Sequence, residues 1–330
     1  MENKEIALVT GGTGFVGSHL VDLLLSKGLE VWCIIRKSSN TKWLKDKNVK
    51  FIDCGLSDKN ELKRVIKNVD YIYHVAGVVK SKTKEGYFIG NVETTRNLLD
   101  TVIENQIKLK RFVVVGSLTA TGPSVNGIPV DENTQCNPIT TYGKSKLEEE
   151  KVALTYKDKI PITICRAPAV YGERDTEIFI YFNTFSKGLT TLIGFDEKKL
   201  SLIHVTDLVN GIYLASKSEK SIGEIYFISS EEYYTWDQIN RITAAILNKK
   251  PIVIRIPHFI VYLIASVAQF FSFFTSKAAT LNIEKAKDLT QKYWICDTKK
   301  AKEHFGYKQN ISIKEGIEKT ISWYKEQGWI

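Results

Sequence analysis

Val9-Thr10-Gly11-Gly12-Thr13-Gly14-Phe15-Val16-Gly17 lies between two segments of different periodicity. Before it, Ile6-Ala7-Leu8-Val9 is a short uncharged apolar run, the pattern of a parallel strand buried on both faces. After it, Leu20, Leu23, Leu24 and Lys27 recur at helical spacing. The glycines therefore occupy a strand-to-helix turn. Gly12, Gly14 and Gly17 fit G-x-G-x-x-G, and Gly11, Gly14 and Gly17 fit the variant T-G-x-x-G-x-x-G. Small residues are needed here because the chain turns tightly, its backbone must approach a pyrophosphate, and the helix packs close to the strand. The start of the helix offers unpaired N–H groups to phosphate. Gly11, Gly14, Phe15 and Val16 are thereby assigned to a dinucleotide. A glycine-rich turn that binds nothing is the alternative, and the flanking strand and helix weigh against it.

Moving outward, Glu30 to Arg36 predicts the second strand. An acidic residue near its end would bind the ribose hydroxyls of NAD. The end reads Ile34-Ile35-Arg36-Lys37, so cations stand where a 2′-phosphate would lie. NADP is the preferred cofactor on this ground, with NAD the alternative. Val49 to Asp53 predicts the third strand, and Asp58 caps the helix after it. Val69 to Val75 predicts the fourth, ending in His74-Val75-Ala76-Gly77, where Ala76 lets a cofactor lie against the strand end. His74 reads as a packed core histidine, since no second metal-type residue sits at useful spacing, and no metal is expected. Asn91 to Leu99 lies on a long helix. Arg111 to Ser117 is the fifth strand, Tyr142 opens a helix through the Glu-rich stretch, and Pro161 to Arg166 is the sixth strand. Six alternations of strand and helix predict an α/β fold, a doubly wound parallel sheet of the Rossmann type.

Beyond about residue 175 the alternation loses regularity, as at Ile225 to Ile228 and Ile252 to Ile254. The expected division is a dinucleotide-binding domain over 1–175 and a smaller substrate lobe over 176–330, with some elements returning to the main sheet. The lobe would sit over the carboxyl ends of the strands, where ligands bind in such sheets. Ile317, Ile321 and Tyr324 form one face of a terminal amphipathic helix.

The 330 residues carry 46 Lys and Arg against 37 Asp and Glu, a formal net charge of +9. Lysines are scattered among acids, as in Lys144-Ser145-Lys146-Leu147-Glu148-Glu149-Glu150, which reads as a solvated helix face. No basic stripe with interleaved aromatics is present, which argues against nucleic acid. The positive excess suits anionic cofactors or lipid surfaces. Five cysteines without a C-x-x-C pair read as reduced thiols, and the first strand begins without a preceding leader, so a cytoplasmic protein is expected. Residues 259–274, FIVYLIASVAQFFSFF, are uncharged over sixteen positions, short of the ~20 needed to span a bilayer. A buried helix is the preferred reading. Peripheral membrane contact is the alternative, and would make the protein membrane-associated.

Tyr142 and Lys146 are four apart on a helix and share a face. A phenol titrates near pH ~10. A neighbouring ammonium favours the phenolate and lowers that value. Such a pair can exchange the proton of a carbinol hydroxyl while hydride moves to or from a nicotinamide. Ser117, at the end of a neighbouring strand, can hydrogen-bond the substrate oxygen.

With these residues in view, the chain resembles the extended short-chain dehydrogenase/reductases, the NAD(P)-dependent epimerase/dehydratase superfamily. The likeness runs through Thr10 to Gly17, His74 to Ala76, the N-V-x-x-T helix start at Asn91, the triad Ser117, Tyr142 and Lys146, and His204-Val205-Thr206-Asp207. Arg166-Ala167-Pro168-Ala169-Val170-Tyr171-Gly172 is similar to the family's R-P-x-x-V-Y-G, with one residue inserted. The resemblance implies that Pro168 and Val170 touch the nicotinamide, that Tyr142 and Lys146 contact the cofactor, and that a homodimer forms through the helices of Asn91 and Tyr142. Ala169 stands where nucleotide-sugar members carry Asn. Leu118 and Thr119 stand where sugar dehydratases carry Asp-Glu. Gly55 replaces the adenine-binding Asp. Arg36 matches the dihydroflavonol reductase branch, and the apolar helix looks like the 3β-hydroxysteroid dehydrogenase branch. The expected function is interconversion of a secondary alcohol and a ketone or aldehyde on an apolar substrate. The alternatives are a nucleotide-sugar epimerase holding NAD tightly, and a dinucleotide-binding protein without turnover.

Overall fold

The computed structural model describes residues 4–272, 274 and 281–330. Phe273, part of the uncharged stretch, lies outside the described residues. The main sheet contains β1 (Ile6–Thr10), β2 (Glu30–Ile35), β3 (Val49–Asp53), β4 (Tyr71–His74), β5 (Arg111–Ser117), β6 (Ile162–Ala167) and the strand Glu224–Phe227. All seven run parallel, in the order β3-β2-β1-β4-β5-β6 followed by Glu224–Phe227. The chain order reverses between β1 and β4, where Thr10 lies opposite His74. Ligands of such sheets bind in the crevice outside the carboxyl ends of the strands at that reversal.

The central strands are largely apolar because both of their faces are covered. Ala7 and Val9 point to one layer, with Leu20 and Leu24 of α1 (Phe15–Ser26) and Leu208 and Ile212 of the helix Val205–Lys217. Leu8 points to the other, with Leu62 of α2 (Lys59–Val65), Leu98 and Val102, and Ala153. This period-two division is what a doubly covered parallel sheet requires. Asp58 caps α2 by accepting the N–H of Glu61.

Two details of the connections differ from expectation. Residues 36–48, between β2 and β3, form turns and no helix, so the regular alternation is broken once. The helix through Asn91 is built as α3 (Lys84–Phe88), a π-helical turn at Ile89–Glu93, and α4 (Thr94–Glu104). The turn carries Asn91, whose Oδ1 accepts the Val78 N–H at 2.6 Å and whose Nδ2 donates to Ser145 Oγ at 2.8 Å. Asn91 thus ties the segment leaving β4 to α5 (Thr141–Leu154).

After β6 the strand Ala169–Tyr171 pairs with Leu202–His204. A second apolar cluster gathers Tyr171, Phe182, Leu200 and Tyr234 against Ile317, Ile321 and Tyr324 of the terminal helix Ile313–Glu326. That helix buries the face its periodicity predicts.

The expectation of a buried helix at 259–274 is corrected. In the helix His258–Ser272 only Val261 and Ala265 are buried, against Ala286 of the helix Ile283–Thr290. Phe259, Leu263, Phe270 and Phe271 are exposed, Phe259 at 71%. The helix is apolar over most of its circumference, yet among the described residues the rest of the chain covers one stripe of it. Among the described residues no helix is long and apolar enough to cross a membrane.

Candidate functional site

The glycine turn is built for close approach. Gly11 has φ +69°, and a Cβ there would stand 2.7 Å from the Ala76 nitrogen. A Cβ on Gly17 would stand 2.1 Å from the Gly11 carbonyl oxygen, so the first turn of α1 packs against the loop itself. Gly14 is the N-cap of α1, with no side-chain cap and no acid in the first turn. The N–H groups that begin α1, at Phe15 and Val16, therefore face outward without a competing carboxylate. This combination of helix N-terminus and collapsed glycine turn fits a dinucleotide pyrophosphate.

A hydrogen-bonded chain runs inward from the same turn. The Ala76 N–H donates to Thr10 Oγ1 at 3.2 Å, and Thr10 Oγ1 meets His74 Nδ1 at 2.7 Å. His74 Nε2 meets Thr95 Oγ1 at 2.8 Å, and Thr95 Oγ1 donates to Glu149 Oε1 at 3.0 Å. The donors and acceptors are consistent with neutral His74 carrying its proton on Nε2. Burial, reinforced by the Lys146 charge, lowers its pKa to about 3. His74 is the packed histidine its sequence context suggests, here with both ring nitrogens satisfied.

The chain ends at Lys146. Its ammonium pairs with Glu149 and donates to the Val115 carbonyl at 2.9 Å. The Lys146 and Glu149 side chains are 5% and 0% exposed. Glu150, on the same helix, takes a two-point grip from Arg166, with Nε at 3.1 Å from Oε1 and Nη2 at 2.7 Å from Oε2. Arg166 also donates to Thr121 Oγ1 at 2.8 Å. The reading of Lys144 to Glu150 as a solvated face is thus corrected. Lys144 is exposed, but Lys146, Glu149 and Glu150 point into the protein, because each carboxylate finds a buried cation.

Tyr142, one turn before Lys146, has its phenol near Ser117, and its ring lies near Tyr87, with ring centroids 6.3 Å apart. Ser117 Oγ also accepts from the Thr119 hydroxyl at 2.8 Å and the Thr119 N–H at 3.2 Å. The structure brings Ser117, Tyr142 and Lys146 together. The phenol differs from expectation in one respect. Burial raises its pKa, and although Lys146 and Ser117 pull it down, Glu149 pushes it up, so the net direction is upward. Burial opposes the charge of Lys146 as well, but Glu149 and Tyr142 hold that ammonium above its ordinary value. For Glu149, burial outweighs Lys146 and Thr95, and its pKa is raised.

Ser117 faces a cavity of about 260 Å³ whose walls include Leu118, Pro168, Leu200, Trp236, Leu289 and Trp294. Ala169 also lines it, as do Lys198, Lys285 and Asp288. Val170 packs on the main core, with Ile203 opposite it across the strand pair. Arg36 follows β2 and is exposed, its N–H held by Ser39 Oγ at 2.9 Å.

Sequence reasoning missed Glu149 and Asp288. Glu149 carried a usable signal: it lies three residues after Lys146, the spacing of facing side chains on a helix. Asp288 had none, because its distance from Ser117 in the chain gives no hint that both reach one cavity.

Comparison with known proteins agrees with this geometry. The chain is 25% identical over 328 residues to a ceramide reductase from Caulobacter vibrioides, covering 99% of this chain and 96% of that one. It is 25% identical over 331 residues to a decarboxylating sterol-4-alpha-carboxylate 3-dehydrogenase from Mus musculus, covering 95% and 89%. The crystal structure of gox2253 superposes with a TM-score of 0.82 at 25% identity, covering 98% of this chain and 99% of that one. The NAD dependent epimerase/dehydratase family profile matches residues 7–229. With the glycine turn, the parallel sheet and the Ser117–Tyr142–Lys146 grouping in place, the chain belongs to the NAD dependent epimerase/dehydratase family, and is an oxidoreductase of the extended short-chain dehydrogenase/reductase type.

Proposed function

We propose that the protein is an NADP(H)-preferring reductase or dehydrogenase that interconverts a ketone or aldehyde and the matching alcohol on a lipid-like, apolar substrate. The observation that carries this reading is the position of Ser117. It lies near the Tyr142 phenol and lines a cavity whose walls include leucine, proline and tryptophan.

When bound, the nicotinamide supplies or accepts hydride. Gly11, Gly14, Phe15 and Val16 hold the pyrophosphate, and Ala76 leaves room along β4. Pro168 and Val170 border the nicotinamide face. Arg36 meets the 2′-phosphate, a role open to it because no acid follows β2. Ser117 donates a hydrogen bond to the reacting oxygen. Tyr142 delivers or removes its proton, and Lys146 steadies the phenolate and the cofactor ribose. Glu149 raises the Lys146 pKa against the opposing effect of burial.

Residues 1–175 supply most of the cofactor side of this site. Residues 176–330 supply Leu200, Trp236, Leu289 and Trp294 of the substrate side. A lipid substrate accords with the names of the ceramide and sterol relatives and with the uncovered apolar face of His258–Ser272. In this reading the protein is cytoplasmic, meets membranes peripherally through that helix, and dimerises through the α4 and α5 face.

The test is a fluorescence titration with NADPH and NADH, followed by a panel of apolar ketones and aldehydes. The expected result is tighter binding of NADPH, by about tenfold or more for one charged contact to phosphate, and carbonyl-dependent oxidation of NADPH. Protein that purifies with tightly held NAD and a nucleotide sugar would overturn the reading.

A further inference from the structure

Asp288 stands in a position that protein stability disfavours twice. It lies near the carboxyl end of the helix Ile283–Thr290, where the helix dipole opposes a negative charge. Its Oδ1 is buried and has no hydrogen-bond partner among the described residues. Its backbone carbonyl is used, accepting Trp294 Nε1–H at 2.9 Å, so the residue is anchored while its carboxyl is left unpaired. Buried acceptors without partners are rare, and in a cleft they point to a ligand.

Asp288 lines the same cavity as Ser117. The cavity has a volume of about 260 Å³ and both residues line it, so a single bound molecule can contact both. The Asp288 charge also bears on the Tyr142 phenol. The wall around it selects the kind of donor. Lys198 and Lys285 line the same cavity, and Lys198 is locked there by the Thr290 carbonyl at 2.9 Å and the Gln291 carbonyl at 3.2 Å. A ligand ammonium would meet these two cations, whereas a hydroxyl or an amide N–H would not be repelled. Burial pushes the Asp288 pKa up to about 6, which leaves the group mostly an acceptor at neutral pH.

We infer that Asp288 is a substrate-recognition residue that accepts a hydrogen bond from a hydroxyl or amide N–H of the molecule that carries the reacting carbonyl. This rests on the reductase reading above and narrows it: the substrate is a hydroxylated or amide-bearing ketone, or the matching alcohol, with an apolar remainder. A site that hydrogen-bonds a substrate donor rejects the analogue lacking it, because its own acceptor is then left unpaired.

The test compares a medium-chain hydroxymethyl ketone and a medium-chain β-hydroxy ketone with their deoxy counterparts. Affinity for the enzyme saturated with NADP⁺ is read by calorimetry, and turnover with NADPH is read separately. The expected result is that at least one hydroxylated probe binds about tenfold tighter than its deoxy counterpart. Asp288→Leu should bind the two alike. Asp288→Asn, which keeps an acceptor oxygen, should retain part of the preference and shows that the loss in Asp288→Leu is not a folding defect. Equal affinities in the wild type, or a preference that survives in Asp288→Leu, would overturn the inference. A preference lost in Asp288→Leu without turnover of any probe would keep this subsite and reject the reductase reading. Turnover of the ketones without any preference would do the reverse.

Discussion

Glu149 and Lys146 form an ion pair within α5 that is sealed from solvent on both sides. Its position, one turn past Tyr142, gives the carboxylate two opposed effects. It supports the Lys146 ammonium, as Tyr142 and Glu150 also do, and it offsets part of the field that this ammonium exerts on the phenol. In Glu149→Gln the second effect disappears. The Tyr142 pKa then falls, because a negative neighbour that disfavoured phenolate is gone. Alcohol oxidation needs the phenolate, so its rising pH limb should move to lower pH. Carbonyl reduction needs the phenol, so its falling limb should move the same way. The pH dependence of kcat/KM in both directions checks this, and limbs that stay put or move to higher pH would count against it. Glu149→Ala additionally leaves a buried cation unpaired and should cost about 3–5 kcal/mol of stability, measured by denaturant unfolding.

The glycines of the turn are not equivalent. A Cβ on Gly17 meets the Gly11 carbonyl at 2.1 Å, whereas one on Gly14 meets it at 3.3 Å. Gly17→Ala should therefore push α1 off the loop, at about 1–3 kcal/mol, and weaken NADPH binding more than Gly14→Ala does. Thermal melts and cofactor fluorescence of the two variants are the check. Equal behaviour would mean that the approach of α1 to the loop does not matter.

Much of this architecture was legible in the chain because buried parallel strands leave uncharged runs, and the runs at Ile6, Tyr71, Phe112 and Ile162 did so. The glycine turn was legible because its steric demands admit few residues. Less could be read where the governing contact is distant in sequence. The stretch 36–48 has no periodicity that separates a turn from a short helix. Lys146, Glu149 and Glu150 looked solvated because alternating charges usually are; only the fold reveals that Arg166 and Thr95 wait for those carboxylates on the inner side. For the opposite reason, the burial of the helix His258–Ser272 is not legible. Apolar composition states that a surface avoids water, but not which surface meets it.

That helix leaves Phe259, Leu263 and Phe270 exposed, a patch of the kind that marks an interaction surface. The protein should float with vesicles containing anionic lipid, given its excess of positive charge. Phe259→Ser combined with Leu263→Ser and Phe270→Ser should remain in the aqueous fraction while retaining the wild-type melting temperature. Wild-type protein that never leaves the aqueous fraction would remove the membrane role.

Removal of the Tyr142 hydroxyl tests the proposed chemistry at its centre. Tyr142→Phe keeps the ring beside Tyr87 and leaves the glycine turn untouched, but deletes the group that moves the proton. NADPH affinity should change by no more than a few-fold. The rate of carbonyl reduction should fall by about 10²–10⁴-fold, the usual range for loss of a general acid. Turnover close to the wild-type rate, at undiminished NADPH affinity, would contradict the assignment of Tyr142 as the proton donor.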